Sequence, residues 1–321
     1  MADRVVVADR LGKAGLEMLR AMQGLEVVET AGKGPEALEA ALGDAVALVV
    51  RSETKVTAAL ISKAPRLKVI ARAGMGTDTI DVENATRRKI AVLTAPGANS
   101  NSVAEYTFAL LLALARKVAP AVASLAAGKW DRKTFEGSEL RGKTLGLLGL
   151  GRIGSRVASI GRAFGMTVIG YDPAVTAEQA ESLGLDLLPL DAVIQNADVL
   201  SLHAKLTPTT RHMLDERGLS LVKRGVLIVN TARGALVDDA ALVKALCDGR
   251  VGGAALDVYE TEPLPADSVL HTAPNLLLTP HLAASTAEAQ TRVGIEIAAA
   301  IGDALVKGDL SAAVNRAGLG R

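Results

Sequence analysis

The sequence contains few of the residues that mark several large classes of protein. It has a single cysteine, Cys247, among 321 residues, so a disulfide framework is excluded and a reducing compartment is expected. Aromatic residues make up only 2% of a chain that is 49% hydrophobic, so its core must be built from Ala, Val, Leu and Ile. The net charge is +1 and no basic run occurs, which argues against nucleic acid or an anionic membrane as the main partner. We expect Cys247 to be a small packing residue.

Long hydrophobic runs are also missing. The most apolar stretch, residues 106–115, is too short to cross a bilayer, and the apolar run near the start is too short for the core of a signal peptide. We therefore expect a cytoplasmic protein. No group of His, Cys and Asp residues has the spacing of metal ligands, so we expect no metal, and no serine or cysteine lies in a context typical of a nucleophile.

What the chain does contain is a regular alternation of strand and helix patterns. Short apolar runs are separated by stretches with helical spacing of apolar residues, such as 35–42 and 57–64. The predicted strands are 5–8, 25–28, 46–50, 67–71, 90–93, 144–150, 167–170, 199–202, 226–229, 254–258 and 276–278. Continuous apolar strands that alternate with helices predict parallel sheets covered on both faces, which is an α/β fold.

The length and the strand order predict two domains. A chain of 321 residues exceeds the size at which one core stops growing. The glycine motif described next normally follows the first strand of its domain, yet it lies near residue 150. The residues before it therefore form a separate α/β unit. We expect a discontinuous domain of residues 1–98 and 285–321 and an inserted domain of residues 99–284, with chemistry in a cleft that closes over the ligands.

The most informative motif is GLGRIG at residues 149–154, between a strand pattern and a helix pattern. Such a motif is weak evidence alone, but this context is typical of dinucleotide binding. Gly149 permits the tight turn, Gly151 leaves room for the pyrophosphate, and Gly154 lets the helix pack closely on the sheet. The free N–H groups at the start of the helix then face the phosphates.

Asp172 indicates which dinucleotide is bound. It ends the next predicted strand, 18 positions after Gly154, where a carboxylate can accept hydrogen bonds from the adenosine ribose. The same carboxylate would repel the extra phosphate of NADP, and the three residues that follow include no arginine to receive that phosphate. We therefore expect the cofactor to be NAD.

The polar residues suited to catalysis follow three consecutive strands in the second half. Arg233 follows one strand, Asp257 ends the next with Glu262 in the loop beyond, and His281 follows a third. Arginine can bind a carboxylate in two places, and an imidazole can exchange a proton near neutral pH. A carboxylate on the far ring nitrogen would orient that imidazole and raise its pKa, and we assign this role to Glu262. Together these residues predict hydride transfer to or from a hydroxy or keto acid.

The other three histidines carry less information. His203 ends a predicted strand, where it either borders the cofactor or has a structural role. His212 and His271 lie in polar loops and are expected to be solvated.

Several longer stretches resemble the D-isomer-specific 2-hydroxyacid dehydrogenases, and the similarity covers almost the whole chain. The matching stretches are VVRSETKVT (49–57), VIARAGMGTDTIDVENATRRKI (69–90), PGANSNSVAEYT (96–107), GKWDRKTFEGSELRGKTLGLLGLGRIG (128–154), NTARGALVD (230–238), AALDVYETEP (254–263) and TPHLAASTAEAQ (279–290). The resemblance implies a Rossmann NAD-binding domain inserted into a discontinuous flavodoxin-like substrate domain, both with doubly wound parallel sheets.

The resemblance also implies roles for individual residues. It implies the same catalytic set of Arg233, Glu262 and His281. The residues implied at the NAD site are Gly149, Gly151, Arg152, Ile153, Gly154, Asp172, Ala204, Thr231, Ala232 and Asp257. The residues implied to face the substrate are Arg51, Arg72, Gly74, Met75 and Asn99.

Two arginines point to a particular substrate. Arg51 and Arg72 both follow apolar strands of the first domain, and two guanidinium groups suit a substrate with a second anion, such as a phosphate, besides its carboxylate. The alternative is that both are exposed arginines on a basic rim. The expected reaction is the oxidation of D-3-phosphoglycerate to 3-phosphohydroxypyruvate, the first step of the phosphorylated route to serine.

Alternatives remain within and outside this class. One is a hydroxypyruvate or glyoxylate reductase or another D-2-hydroxyacid dehydrogenase; the other is a non-enzymatic protein that senses NAD, as transcriptional corepressors of this fold do. We expect a homodimer or homotetramer, because the predicted helix 101–117 is apolar over much of its circumference. We expect no carboxy-terminal regulatory domain and hence no inhibition by serine.

Overall fold

The structure, a computed structural model, describes residues 2–320, which divide into two compact units. Unit 1 contains the residues up to Asn99 and those from Ser285 onward, and unit 2 is Ser100–Ala284. The strands are β1 Asp3–Val7, β2 Leu25–Glu29, β3 Ala45–Val50, β4 Val69–Arg72, β5 Ala91–Thr94, β6 Thr144–Leu148, β7 Thr167–Tyr171, β8 Asp186–Leu187, β9 Val199–Leu202, β10 Val226–Asn230, β11 Val251–Leu256 and β12 Leu276–Leu278. The α-helices are α1 Lys13–Ala21, α2 Pro35–Leu42, α3 Ala58–Ser62, α4 Val82–Arg87, α5 Ser100–Ala115, α6 Val118–Ala126, α7 Arg152–Ala163, α8 Ala177–Ser182, α9 Leu190–Asn196, α10 Glu216–Leu221, α11 Asp239–Cys247, α12 Ala287–Gly302 and α13 Arg316–Leu319.

Unit 1 is built on a five-stranded parallel sheet with the order β2-β1-β3-β4-β5. All six residues of β3 are buried, as expected for a central strand covered on both faces. Alternate residues of β1 face opposite layers: Val5 packs in the cluster that holds Leu19 of α1 and Ile297 of α12, whereas Val6 packs in the cluster that holds Leu42 of α2. This sheet has the strand order of the flavodoxin-like fold.

Unit 2 is built on a seven-stranded parallel sheet with the order β12-β11-β10-β9-β6-β7-β8. The order in which the chain adds strands reverses beside β6, which is the arrangement of dinucleotide-binding domains. Leu147 of β6 packs with Phe108 of α5 and Val157 of α7, while Leu148 packs with Val193 of α9 on the opposite face. The predicted α/β fold with two doubly wound parallel sheets is confirmed.

The structure differs from the sequence-based expectation at several elements. The predicted helix 101–117 corresponds to α5, which ends at Ala115. A second helix that was not predicted, α6, follows after Lys117, which adopts a left-handed φ of +53°, and it leaves α5 at a bend of 62°. The last long helix, α12, is followed without a break by a π-helical turn at Asp303–Lys307. The short strand β8 was not predicted. Cys247 was expected to pack in the core, but it is exposed at the last position of α11, where the neighbouring Leu246 takes the buried side.

The described residues contain no single helix that is long and apolar enough to cross a membrane. The bent pair of α5 and α6 meets that test only when its two helices are taken together, and much of α5 lies in the core of unit 2.

Candidate active site

The three glycines of the predicted dinucleotide loop each have a structural reason. Gly149 has a φ of +101°, and a Cβ there would lie 2.5 Å from the backbone nitrogen of Ala204. A Cβ on Gly154 would lie 2.1 Å from the carbonyl oxygen of Gly149, so only glycine lets α7 approach the turn this closely. Gly151, by contrast, has open space where its Cβ would be.

The open space at Gly151 fits a bound pyrophosphate. Gly151 is the N-cap of α7 and no side chain caps the helix, so its first N–H groups remain available to a ligand. Arg152 and Ile153 are the first two residues of that helix. Ala204 lies against the turn at Gly149. These residues fit the phosphates of a dinucleotide.

Asp172 lies directly after β7 and joins that strand end to the glycine loop. Its Oδ2 accepts a hydrogen bond from the backbone nitrogen of Leu150 at 2.8 Å, and its Oδ1 accepts one from that of Ala174 at 2.9 Å. A carboxylate oxygen can accept more than one hydrogen bond, so both oxygens can still receive ribose hydroxyls. The carboxylate is thereby held at the position where ribose selection takes place in this fold.

Three loops at neighbouring strand ends carry the predicted catalytic residues. Strands β10, β11 and β12 are adjacent in the sheet, and Arg233, Glu262 and His281 lie in the loops that follow them. The Nδ1 atom of His281 lies 2.8 Å from Oε2 of Glu262. The side chain of His281 is 47% exposed, and its Nε2 has no protein partner among residues 2–320. The imidazole is therefore oriented by Glu262 and open to a substrate.

The hydrogen bond changes the acidity of both members of this pair. The hydrogen bond to Glu262 raises the pKa of His281 above its ordinary value, although burial and the positive charge of Arg233 act in the opposite direction. For Glu262, burial favours a higher pKa, but the hydrogen bonds from His281 and from the backbone of Tyr259 outweigh it and lower the pKa. Glu262 is thus kept ionised beside an imidazole that holds its proton more strongly than usual.

Asp257 fixes the loop that carries His281. This fully buried carboxylate accepts hydrogen bonds from the hydroxyl of Thr279 at 2.7 Å and from the backbone nitrogens of Leu282 and Ala283, each at 2.8 Å. These three bonds hold the residues on either side of His281 in the chain. His281 itself has a φ of +55°, which is unusual for a residue other than glycine. The family resemblance implied a place for Asp257 at the NAD site, and the structure shows that it holds the histidine loop.

Two residues that the sequence did not single out complete the loops. Tyr259 donates from its backbone nitrogen to Glu262 at 3.1 Å and from its hydroxyl to the carbonyl oxygen of Thr279 at 2.9 Å, so it binds both loops of the acid–base pair. Burial raises its pKa to about 12, which keeps the hydroxyl protonated as a donor. Asn230, fully buried, donates to the carbonyl oxygen of Arg233 and accepts from the backbone nitrogen of Ala232.

The remaining residues of this loop are also well held. Arg233 has an extended backbone, and its Nη1 donates to the carbonyl oxygen of Ala232 at 2.6 Å. The buried hydroxyl of Thr231 forms a 2.9 Å hydrogen bond with that of Thr107 on α5. The guanidinium group of Arg233 is near enough to influence the pKa of both His281 and Glu262.

The residues implied to face the substrate belong to unit 1, whereas the loops described so far belong to unit 2. Arg51 follows β3 and Arg72 ends the neighbouring β4, so both lie at the carboxyl edge of that sheet. Arg72 donates from Nε to the carbonyl oxygen of Gly76 and from Nη1 to that of Ala73, which holds its side chain over its own loop. Gly74, in the same loop, has a φ of +154°, and Met75 follows it. The buried Oδ1 of Asn99 has no hydrogen-bond partner among the described residues.

A carboxylate missed by sequence analysis organises the loop after β3. Asp9, which is 2% exposed, accepts hydrogen bonds from the backbone nitrogens of Arg51 at 2.5 Å and Thr54 at 3.1 Å. Its other oxygen accepts from the hydroxyl of Thr54 at 2.5 Å. The position of the Arg51 backbone thus depends on the side chain of Asp9, which lies two residues after the end of β1.

The other histidines have defined surroundings. The Nε2 atom of His203 lies 2.8 Å from the hydroxyl of Ser201, its Nδ1 is buried with no partner among the described residues, and burial lowers its pKa to about 3. His212 was expected to be solvated, but its Nε2 pairs with Glu260 at 3.1 Å. His271 is exposed and contacts the carbonyl oxygen of Pro265. Within residues 2–320, no group of three or more His, Cys, Asp or Glu side chains could hold a metal ion.

Comparison with known proteins identifies the class. Residues 108–283 match the family model described as D-isomer specific 2-hydroxyacid dehydrogenase, NAD binding domain. The chain therefore belongs to this family, and the expected resemblance is confirmed. The match to an NAD binding domain agrees with the cofactor expected from the glycine loop and Asp172.

The similar proteins include enzymes with several substrates. The chain is 48% identical over 309 residues to the D-3-phosphoglycerate dehydrogenase of Methanocaldococcus jannaschii, which covers 96% of this chain and 58% of that protein. The chain thus spans little more than half the length of that relative. Among solved structures it resembles the TT0316 protein of Thermus thermophilus (TM-score 0.88, 37% identity, 97% of this chain and 99% of that one). It also resembles a glyoxylate reductase of Paecilomyes thermophila (TM-score 0.87, 32% identity, 98% and 99%).

Proposed function

We propose that this chain catalyses the NAD-dependent oxidation of D-3-phosphoglycerate to 3-phosphohydroxypyruvate, the first step of the phosphorylated route to serine. The observation that carries the proposal is the 2.8 Å hydrogen bond between His281 and Glu262, which leaves Nε2 of the imidazole open. A histidine held in this way can take the proton of a substrate hydroxyl. The relative named D-3-phosphoglycerate dehydrogenase supports this substrate.

The proposed reaction divides between the cofactor and the side chains of unit 2. Bound NAD supplies the acceptor for the hydride that leaves the substrate carbon bearing the hydroxyl. His281 accepts the hydroxyl proton at Nε2, so the alcohol becomes a ketone with hydride and proton both accounted for. Glu262 stabilises the imidazolium that forms, and Arg233 binds the carboxylate of the substrate through its planar guanidinium group. The residues that we propose to hold NAD are Gly149, Gly151, Arg152, Ile153, Gly154, Asp172, Ala204, Thr231, Ala232 and Asp257.

We assign the phosphate of the substrate to the arginines of unit 1. Arg51 and Arg72 lie at one edge of the sheet in loops that are held by hydrogen bonds, and a phosphate dianion is well matched by guanidinium donors. Gly74, Met75 and Asn99 belong to the same proposed substrate site. On this basis unit 1, which includes Asn99, forms the substrate domain and unit 2 forms the NAD domain, so the boundary lies one residue later than the expected 98/99.

The test compares the phosphorylated substrate with its unphosphorylated counterpart. In Arg72→Ala and in Arg51→Ala, kcat/KM for 3-phosphoglycerate should fall about 100-fold, because a charge-assisted hydrogen bond to the phosphate is lost, while D-glycerate is much less affected. Arg66→Ala is the control, since Arg66 is exposed and pairs with Asp44 only at 4.0 Å. Equal losses on both substrates would contradict the assignment.

A second candidate function is reduction of hydroxypyruvate or glyoxylate. It is favoured by the similarity to a glyoxylate reductase, with a TM-score of 0.87. Absorbance of NADH separates the two candidates when each acid is supplied at a saturating concentration. Oxidation is tested with 3-phosphoglycerate, D-glycerate and D-lactate, and reduction is tested with hydroxypyruvate and glyoxylate. Tight NAD binding without turnover of any of these acids would instead favour a sensor protein.

The proposed partner is a second copy of the chain. Helix α5, from which we expected the contact, packs on α7, β10 and β11 within its own unit. An exposed apolar surface lies instead on α6, none of whose residues is buried, and on the segment that follows it. Val122 and Leu125 of α6 are 63% and 57% exposed, and Trp130, four residues after the helix ends, is 81% exposed. Light scattering should report at least a dimer, and Val122→Asp should shift it toward the monomer. A monomeric wild-type protein would contradict this proposal.

A further inference from the structure

A group of charged side chains lies beside the loops of the active site without belonging to the predicted catalytic set. We define the strap as residues 211–214, which lead into α10. Glu260, two positions before Glu262, pairs through Oε1 with Arg211 and through Oε2 with Nε2 of His212, the latter at 3.1 Å. Hydrogen bonding to His212 and then to Arg211 lowers the pKa of Glu260, which burial would otherwise raise. Glu260 is thus an ionised residue bound to two residues of the strap.

The strap also binds the loop that carries Arg233. The backbone nitrogen of His212 donates to the carbonyl oxygen of Ala235 at 2.8 Å, and that of Leu214 donates to Leu236 at 3.1 Å. Asp238 in turn donates from its backbone nitrogen to the carbonyl oxygen of Leu214 at 3.1 Å. His212 donates its backbone hydrogen bond to Ala235 from a left-handed conformation with a φ of +49°.

The loop that carries Arg233 and the loop that carries Glu262 also contact each other directly. A Cβ on Gly234 would lie 1.9 Å from the carbonyl carbon of Tyr259 and 2.2 Å from the backbone nitrogen of Glu260, so the Arg233 loop lies against that peptide bond. The same Tyr259 donates its backbone N–H to Glu262. A shift of the Tyr259–Glu260 peptide would therefore move the carboxylate that orients His281.

We propose that Glu260 is a positioning residue, an inference that rests on the proposed function. Its ion pairs with Arg211 and His212 hold the Glu262 loop against the Arg233 loop. This contact keeps the carboxylate of Glu262 within hydrogen-bond distance of His281. Exposed ion pairs are usually worth little, but this one joins three loops, two of which carry proposed catalytic groups. The effect reaches the substrate only through Glu262 and Arg233. Glu260 is assigned no contact with substrate or cofactor.

The charged groups that surround Glu260 differ from those that act on the pKa of His281. Arg211 and His212 face Glu260 from the strap, and Asp239, at the start of α11, is near enough for the charge of Glu260 to act on it. Asp238 lies 3.9 Å from Nδ1 of His212. Burial, followed by the charges of Glu260 and Asp238, raises the pKa of Asp239. The groups that act on His281 are Glu262, Asp257 and Arg233. The two sets share no member, but replacement of Glu260 also removes a negative charge. His212→Asn keeps that charge, so a change in the titration of His281 in this variant reports the effect of the loops.

The experiment uses Glu260→Ala, Glu260→Gln and His212→Asn in the full chain. Asparagine adopts the left-handed conformation of His212 readily but is too short to reach Glu260, so the strap keeps its backbone. Glu216→Gln is the matched control, because Glu216 forms an exposed ion pair with Lys244 in the same unit. The first measurement is the proton NMR titration of the imidazoles, which is simple because the chain has four histidines.

We expect Glu260→Ala and His212→Asn to lower the pKa of His281, Glu260→Gln to do so less, and the control to leave it unchanged. With the substrate of the wild-type enzyme, kcat should fall about tenfold or more while KM for NAD stays near its original value. A His281 titration and a kcat in both variants that match the control would overturn the proposal. Absence of turnover in the wild-type protein would contradict the proposed function instead, and the NMR measurement would still decide the role of Glu260.

Discussion

The imidazole of His281 and the carboxylate of Glu262 are joined by a 2.8 Å hydrogen bond between Nδ1 and Oε2, although 19 positions separate them in the chain. The loop of His281 is held by Asp257 and by the hydroxyl of Tyr259, and the carboxylate of Glu262 is held by the backbone nitrogen of the same Tyr259. The pair is therefore set by the folded backbone of unit 2 before any ligand binds.

Replacing Glu262 by Gln should move the pH profile of hydroxy-acid oxidation. The neutral form of His281 is the proton acceptor, so the acidic limb of kcat/KM follows its pKa, which the hydrogen bond to Glu262 now raises. In Glu262→Gln the limb should move to lower pH, and the plateau should fall about 100-fold because the imidazolium is no longer stabilised. Steady-state rates between about pH 5 and 10 measure both effects. Glu181→Gln, at an exposed position on α8, should change neither, and an unmoved limb in Glu262→Gln would refute the pairing.

Replacing Asp172 by Ala should weaken the preference for NAD over NADP. The carboxylate is held by the backbone nitrogens of Leu150 and Ala174, and its loss removes charge-assisted hydrogen bonds to the ribose as well as repulsion of the extra phosphate. The dissociation constant for NADH should rise about tenfold to 100-fold, while that for NADPH should change little or improve. Calorimetric titration with both cofactors gives the ratio, and Asp186→Ala on β8 serves as the control. A ratio equal to that of the wild type would mean that Asp172 does not select the cofactor.

His203 should make the fold sensitive to acid. Its pKa is about 3 when folded, because the ring is buried, against about 6.5 when unfolded. A group whose pKa is lower in the folded protein than in the unfolded protein contributes stability at pH values above its unfolded pKa. This contribution is lost as the pH falls toward the folded pKa. Between about pH 6.5 and 3 the free energy of unfolding should therefore fall by about 1.4 kcal/mol per pH unit on account of this residue. Urea unfolding at several pH values should show a shallower dependence in His203→Gln, whereas exposed His271→Gln should keep the wild-type slope. Equal slopes in all three proteins would argue against a buried neutral His203.

Removing the carboxylate of Asp9 should destabilise unit 1. In Asp9→Ala the backbone nitrogens of Arg51 and Thr54 lose their buried acceptor, which should lower the free energy of unfolding by about 2 kcal/mol or more. Denaturant unfolding monitored by circular dichroism measures the loss. Asp44→Ala is a suitable control, because its ion pairs with Arg4 and Arg66 are exposed and no shorter than 3.6 Å. The same loss in both variants would show that the hydrogen bonds of Asp9 are not special.

Much of the site could be predicted from the sequence because its residues follow apolar strands. Gly149, Asp172, Arg233 and His281 all lie within a few positions of a strand end, and the carboxyl ends of parallel strands meet at one edge of the sheet. Local pattern therefore predicts the strand ends after which these residues lie in the structure. It did not predict α6, because none of the residues of this helix is buried and so no alternation of apolar and polar residues marks a buried face.

The supporting residues had no such signal. Asp9 binds Thr54 across 45 positions, and His212 binds Glu260 across 48. A lone aspartate or histidine in a polar loop resembles any solvated residue, so the pairing of the partly exposed His212 with Glu260 was not predicted. Tyr259 and Asn230 were overlooked for the same reason, since their partners are backbone atoms that no sequence pattern marks.

The order of apolar strands and helices, the glycine turn and the chemical types available at strand ends are properties of the sequence, because each depends on residues close together in the chain. The distance between Glu262 and His281, the buried acceptors that hold their loops and the contact of Gly234 with the Tyr259–Glu260 peptide were decided only by the tertiary structure. Each of these joins segments that are distant in the chain, and only the packing of the sheet brings them within hydrogen-bond range.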